Sequence, residues 1–163
     1  MIAVRYCGTW QDYSGYGSAN RNFITALFMA GINITTELVN QVLEQVSFGW
    51  IGHLCKSLEN RNIPYKIKII HLTPDCYSKY LEPGKYHIGH LFWETDKVPD
   101  IWVEACNKMG ELWTSSESMG DLFRASGVRV PVYSFPQPID ITEADKPNGK
   151  FVLDRHEGFL FYS

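Results

Sequence analysis

"MIAVRYCGTWQDYSGYGSANRNF", residues 1–23, runs from an apolar, β-branched stretch through a glycine-bearing segment into a second apolar series. A simple turn does not need Gly15 and Gly17 on either side of a tyrosine, followed at once by Ser18-Ala19-Asn20. Strand, glycine segment, then helix is the order found at the ligand side of a parallel sheet, directly after its first strand. Glycines there let backbone N–H groups approach a sugar or a phosphate. Ser18 is the expected N-cap of a helix over roughly 19–30, with Phe23, Ile24, Leu27 and Phe28 on one face and Gly31 as its stop.

The same alternation continues outward from this unit. "INITTEL" (32–38) reads as a strand, 40–48 has no clear period, and Trp50, Ile51, Leu54, Cys55 and Leu58 recur at helical spacing across 49–60. "YKIKIIHL" (65–72) is a third strand, followed by a helical turn in "CYSKYLEPG" (76–84) and a long apolar strand in "KYHIGHLFWE" (85–94). A helix is expected from Val98 to Met109, with Pro99 in its first turn and Gly110 after it. "ELWTS" (111–115) is a strand, and Met119, Leu122 and Phe123 mark a helix stopped at Gly127. "VRVPVYSF" (128–135) carries Pro131 and belongs at an end or edge. Alternating strands and helices imply an α/β, Rossmann-like fold, a mostly parallel sheet with helices on both faces. Ligands in such folds bind at the carboxyl ends of the strands.

Composition narrows the function classes. The chain has 163 residues, 45% of them apolar and 14% aromatic, enough for one domain with a sizeable core. A net charge of −3 with scattered Lys and Arg gives no electrostatic case for nucleic acid or for an anionic membrane surface. No apolar run reaches the roughly 18 residues of a transmembrane helix, and no leader is read at the start. Cys7, Cys55, Cys76 and Cys106 are widely spaced and expected to be reduced thiols, which suits a cytoplasmic location, peripheral to a membrane at most.

Two segments carry candidate chemistry. In Gly15-Tyr16-Gly17 seven residues separate Cys7 from the first glycine, and Asn20 stands where a dinucleotide site has its third glycine. A nicotinamide or flavin site is therefore disfavoured, while an anion or hydroxyl site, or a long structural turn, remains open. In "HLFWETD" (90–96) a strand ends on Trp93, Glu94, Thr95 and Asp96. A flat ring beside carboxylates suits a carbohydrate; Asp96 is read as a cap for the helix at Pro99. His87 and His90, three apart on a strand, face opposite ways and make no shared metal site. His71 at its strand end is read as a structural, hydrogen-bonded residue. In "TSSES" (114–118) Ser115 or Ser116 caps the next helix and Glu117 complements its dipole.

"SGYGSANRNFITALFMAGINIT", "IGHLFWETDKVPDIWVEACNKMGELWTSSESMGDLFRASGV" and "PVYSFPQPID" together resemble the N-terminal half of retaining glycosyltransferases of the GT-B fold, the group-1 or family-4-like enzymes. The resemblance extends through Asp140. It implies one half of a GT-B fold: residues 1–140 as the acceptor-side domain, 141–157 as the interdomain linker and 158–163 as the first strand of a donor-binding domain that this chain lacks. It further implies transfer of a sugar from a nucleotide-sugar to a hydroxyl of a carbohydrate or lipid-linked acceptor, with retention and without a metal. By position, Gly15, Tyr16, Gly17, Asn20, Trp93, Thr95, Ser116 and Glu117 fall among the substrate-binding positions and Glu94 at the catalytic one. Many relatives place a histidine in the Glu94–Thr95 region. The 163-residue chain alone is then expected to be inactive, and the face that meets the second domain to be open to self-association. The competing reading is a non-catalytic α/β module that binds a small ligand or a protein.

Overall fold

In the computed structural model, which describes residues 2–39 and 48–139, strands and helices alternate along the chain. The elements are β1 (Ala3–Gly8), α1 (Gly15–Met29), β2 (Asn33–Leu38), α2 (Gly49–Ser57), β3 (Ile67–His71), a 3-10 turn (Pro74–Lys79), β4 (Tyr86–Leu91), α3 (Asp100–Cys106), β5 (Glu111–Thr114), α4 (Glu117–Ala125) and β6 (Val132–Ser134). The strands form one sheet in the order β2-β1-β3-β4-β5-β6, and every ladder is parallel. Parallel neighbours cannot be joined by tight hairpins, so each connection crosses a face of the sheet. The fold is α/β and Rossmann-like, as the alternation implies.

Period-two alternation divides the core into two layers. On one face Val4, Tyr6, Ile34, Ile69 and Ile88 pack with Phe23 and Ile24 of α1 and Cys55 of α2. On the other, Cys7, Ile70, Leu91 and Leu112 pack with Tyr77, with Cys106 of α3 and with Phe123 of α4. All four thiols are unpaired; Cys7, Cys55 and Cys106 are buried.

The β2 edge departs from simple alternation. Glu59 makes one parallel bridge to Thr36, whose N–H donates to Leu58 O at 2.9 Å while Asn60 N–H donates to Thr36 O at 2.9 Å. This is a strand reduced to a single bridge. It also explains why α2 stops at Ser57 instead of running to Asn60: the next residues are taken by the sheet edge. Residues 61–66, which lead from there to β3, carry no helix. The sheet face over β1 and β2 is occupied by a charged network instead. Lys68, with its side chain 2% exposed, donates to Glu37 Oε2 at 2.8 Å and Glu82 Oε1 at 2.7 Å. Arg5 Nε reaches Glu37 Oε2 at 2.8 Å, and the Tyr65 hydroxyl donates to Glu82 Oε2 at 2.6 Å.

Other boundaries shift for local reasons. The third helix is Asp100–Cys106, with Pro99 at its N-cap position; Val98 and Met109 are buried but lie outside it. Asp96 is therefore not its cap. The fourth strand ends at Leu91, so Trp93 and Glu94 project beyond the sheet. The sixth strand lies at the edge, directly after Pro131, as a residue without a backbone N–H requires. Asp140, the linker at 141–157, the segment 158–163 and most of the 40–48 stretch lie outside the described residues. Among the described residues no helix is long and apolar enough to cross a membrane.

Candidate functional site

The connection from β1 leaves over the α1 face, and the one from β3 leaves over the opposite face with the 3-10 turn. Their carboxyl ends thus open the crevice characteristic of a switch in strand order. The glycine segment sits here, but as part of the helix. Ser14, not Ser18, is the N-cap: its Oγ accepts from Gly17 N–H at 3.0 Å, and its backbone N–H is held by Asp12 Oδ1 at 3.0 Å. The first helix accordingly begins at Gly15, and the two glycines form its first turn. Arg21 holds the preceding loop down, donating to Trp10 O at 3.0 Å and Asp12 O at 2.7 Å.

The two glycines have different reasons to be glycine. A methyl group on Gly17 would stand 2.3 Å from the Asp12 carbonyl oxygen, so the loop's close approach by itself requires glycine there. Nothing lies within 4 Å of the same position on Gly15. Among the described residues no group accepts from the backbone N–H of Gly15 or Tyr16. Asn20 does not face the crevice. It is fully buried, donates to Tyr16 O at 2.7 Å, and lies against Gly8, where an added methyl would fall 1.6 Å from Asn20 Oδ1. The close helix–strand contact that a third helix glycine would allow is made instead by Gly8 on the strand.

Tyr16 joins the two candidate segments. Its hydroxyl accepts from Phe92 N–H at 3.2 Å and donates to Phe92 O at 3.4 Å, across 76 residues of sequence. Directly beyond, Trp93 turns inward: its indole N–H donates to Lys97 O at 2.9 Å, and its ring meets Trp102 edge-on at 4.5 Å. These contacts anchor the ring in this turn while leaving it partly exposed. Thr95 Oγ1 donates to the same Lys97 carbonyl at 3.2 Å. Glu94 is exposed. At the next strand end, Ser116 caps α4 by accepting from Met119 N–H at 3.3 Å, and Glu117 is exposed in the first turn.

A row of rings crosses the sheet just inside this edge. The ladder register aligns His71 with His90, and His90 with Trp113, which in turn aligns with Tyr133. His71 and His90 are fully buried and stacked, with centroids 3.9 Å apart. His71 Nδ1 is hydrogen-bonded to the Tyr6 hydroxyl, while His71 Nε2 and both nitrogens of His90 have no partner among the described residues. Phe23 meets His90 edge-on at 4.4 Å, and Phe92 leans on both imidazoles. Burial pushes His90 down to about 3; burial, and then the neighbouring imidazole, hold His71 well below the ordinary value. His71 is thus buried and hydrogen-bonded, as expected, through one of its two nitrogens. The sequence hints at the pair only in that "KIIH" and "HIGH" each place a histidine at an apolar strand end; the register that stacks them is not visible there.

No family model matches the chain, and no curated protein matches it. The edge brings together an open glycine turn, an exposed carboxylate and hydroxyls, groups able to hold a hydroxylated or anionic ligand.

Proposed function

We propose that the chain is the acceptor-side half of a retaining glycosyltransferase, moving a sugar from a nucleotide-sugar to an acceptor hydroxyl. The observation that carries this reading is the Tyr16–Phe92 hydrogen-bonded bridge, which sets the Gly15 turn beside Glu94 and Thr95 at one strand-end crevice. In this reading the free N–H groups of Gly15 and Tyr16 receive a phosphate or hydroxyl oxygen, and Glu94 and Thr95 orient the acceptor. Attack from the face the diphosphate leaves, with the proton passing to the departing phosphate oxygen, retains configuration; the protein supplies position and charge stabilisation.

The test is a transfer assay on the product of the complete reading frame that contains these residues. UDP-, GDP- and ADP-linked α-sugars are offered with simple glycoside acceptors, and the product anomer is read by proton NMR. Retained α-configuration is expected, with Gly15→Ala losing at least about tenfold in rate at unchanged melting temperature, as a misplaced ligand implies. Absence of transfer from every donor, or inversion, overturns the proposal. Transfer by residues 1–163 alone contradicts the assignment of a half-site.

A further inference from the structure

On the α1 side of the sheet, β5 and β6 have no helix over them among the described residues, because α3 and α4 pack on the opposite face. What faces outward there is almost wholly aromatic. Tyr133 is 52% exposed, Tyr86 45% and Phe135 43%, and Trp113 is half-buried between them. Phe135 lies flat on Trp113, with centroids 4.6 Å apart and planes 13° from parallel. Tyr133 is the direct cross-strand neighbour of Trp113. One carboxylate, Glu111, stands in this field. Its Oε1 accepts from the Trp113 indole N–H at 2.8 Å and its Oε2 from the Tyr86 hydroxyl at 3.0 Å.

We propose that this face binds a glycan, with pyranose rings stacked on Tyr133, Phe135 and Tyr86 and sugar hydroxyls donating to Glu111. The hydrogen-bond inventory selects this occupant. A proline-rich peptide also favours aromatic ridges, but it presents carbonyl acceptors and needs donors from the protein. Here the indole N–H and the Tyr86 hydroxyl proton are already given to Glu111, which keeps lone pairs to accept more, and of the described side chains in this field only the Tyr133 hydroxyl is left to donate. Fixed acceptors among flat apolar rings match a ligand that combines hydroxyl donors with apolar C–H faces. The platform is built on β5, β6 and Tyr86 and does not rest on the transferase reading: it binds without donor and without turnover.

The experiment is a titration of the purified chain with maltoheptaose and with cellohexaose, followed by calorimetry and by backbone amide NMR. Saturable binding to at least one is expected, with shifts at Glu111, Trp113, Tyr133 and Phe135. Tyr133→Ala and Glu111→Gln should each weaken it about fivefold, the loss of one stacking or one carboxylate contact. Trp50→Ala, on α2, should bind as the parent does. The proposal fails if neither sugar binds saturably, or if shifts are confined to Gly15–Gly17 and Trp93–Thr95. It also fails if Tyr133→Ala abolishes a dimer seen by sedimentation, which would make the face a contact between copies, or if a polyproline peptide competes for it.

Discussion

Single residues show where this fold gives up stability. His90 is buried with both nitrogens unpartnered, a situation that costs roughly 1–3 kcal/mol per polar group. Replacing it with an apolar side chain of similar size, His90→Leu, should therefore be neutral or stabilise by about 1 kcal/mol at pH 8, read from urea unfolding. The pH dependence has a definite sign. Both imidazoles titrate lower folded than unfolded, so the unfolded state binds more protons as pH falls below the ordinary value of 6.5. Stability should fall from there toward about 3, by up to about 1.4 kcal/mol per pH unit for each histidine, and His90→Leu should remove one proton's worth of that slope. Tyr16→Phe tests the bridge between the two halves of the crevice: it loses both contacts to Phe92 and should cost about 1 kcal/mol. The sequence showed Tyr16 between its glycines but gave no sign of a partner 76 residues away.

Among the elements, the first helix separates local rules from packing. Two serines competed for its start, and Ser14 prevails because Asp12 fixes its backbone and Arg21 fixes the loop before it. Ser14→Ala should cost about 1 kcal/mol, whereas Ser18→Ala, inside the helix, should leave the unfolding midpoint unchanged. The glycines should likewise divide. Gly17→Ala forces a methyl against the Asp12 carbonyl and should cost about 1–3 kcal/mol, while Gly15→Ala meets nothing and should not lower the melting temperature. Spacing alone could not tell these two apart, since both look like residues reserved for a ligand. The α2 boundary has a similar cause: helical periodicity ran on to Asn60, but pairing of Leu58–Asn60 with β2 ended it.

For the whole molecule, the two sides of the sheet are stabilised by different means. Helices cover most of it, but over β1 and β2 the Arg5–Glu37–Lys68–Glu82 network takes their place. Burial works against the Lys68 charge, and its hydrogen bonds to Glu37 and Glu82 outweigh this and hold its pKa above the ordinary value. Glu82 is opposed by its own desolvation, yet Lys68 and Tyr65 hold it below the ordinary carboxylate value of 4.5. Lys68→Met should destabilise by about 2 kcal/mol, less than a fully buried pair because both carboxylates reach solvent. That difference should be complete above pH 4.5 and shrink as pH falls below it, since a depressed carboxylate loses its advantage on protonation. The histidine-dependent loss begins near 6.5, so comparing parent and variants at pH 8, 5.5 and 3.5 separates the two effects. By itself the sequence determined the alternation of strands and helices, the edge place of the last described strand and the positions of most turns, because these follow from hydrophobic period and from Gly and Pro, which act over a few residues. It also marked Gly15, Glu94 and Ser116 as strand-end residues. Only the tertiary structure decided the stacked histidines, the Tyr16 bridge, the charged face and the aromatic row. Each depends on strand order and register, and those are set by long-range packing that no local pattern encodes.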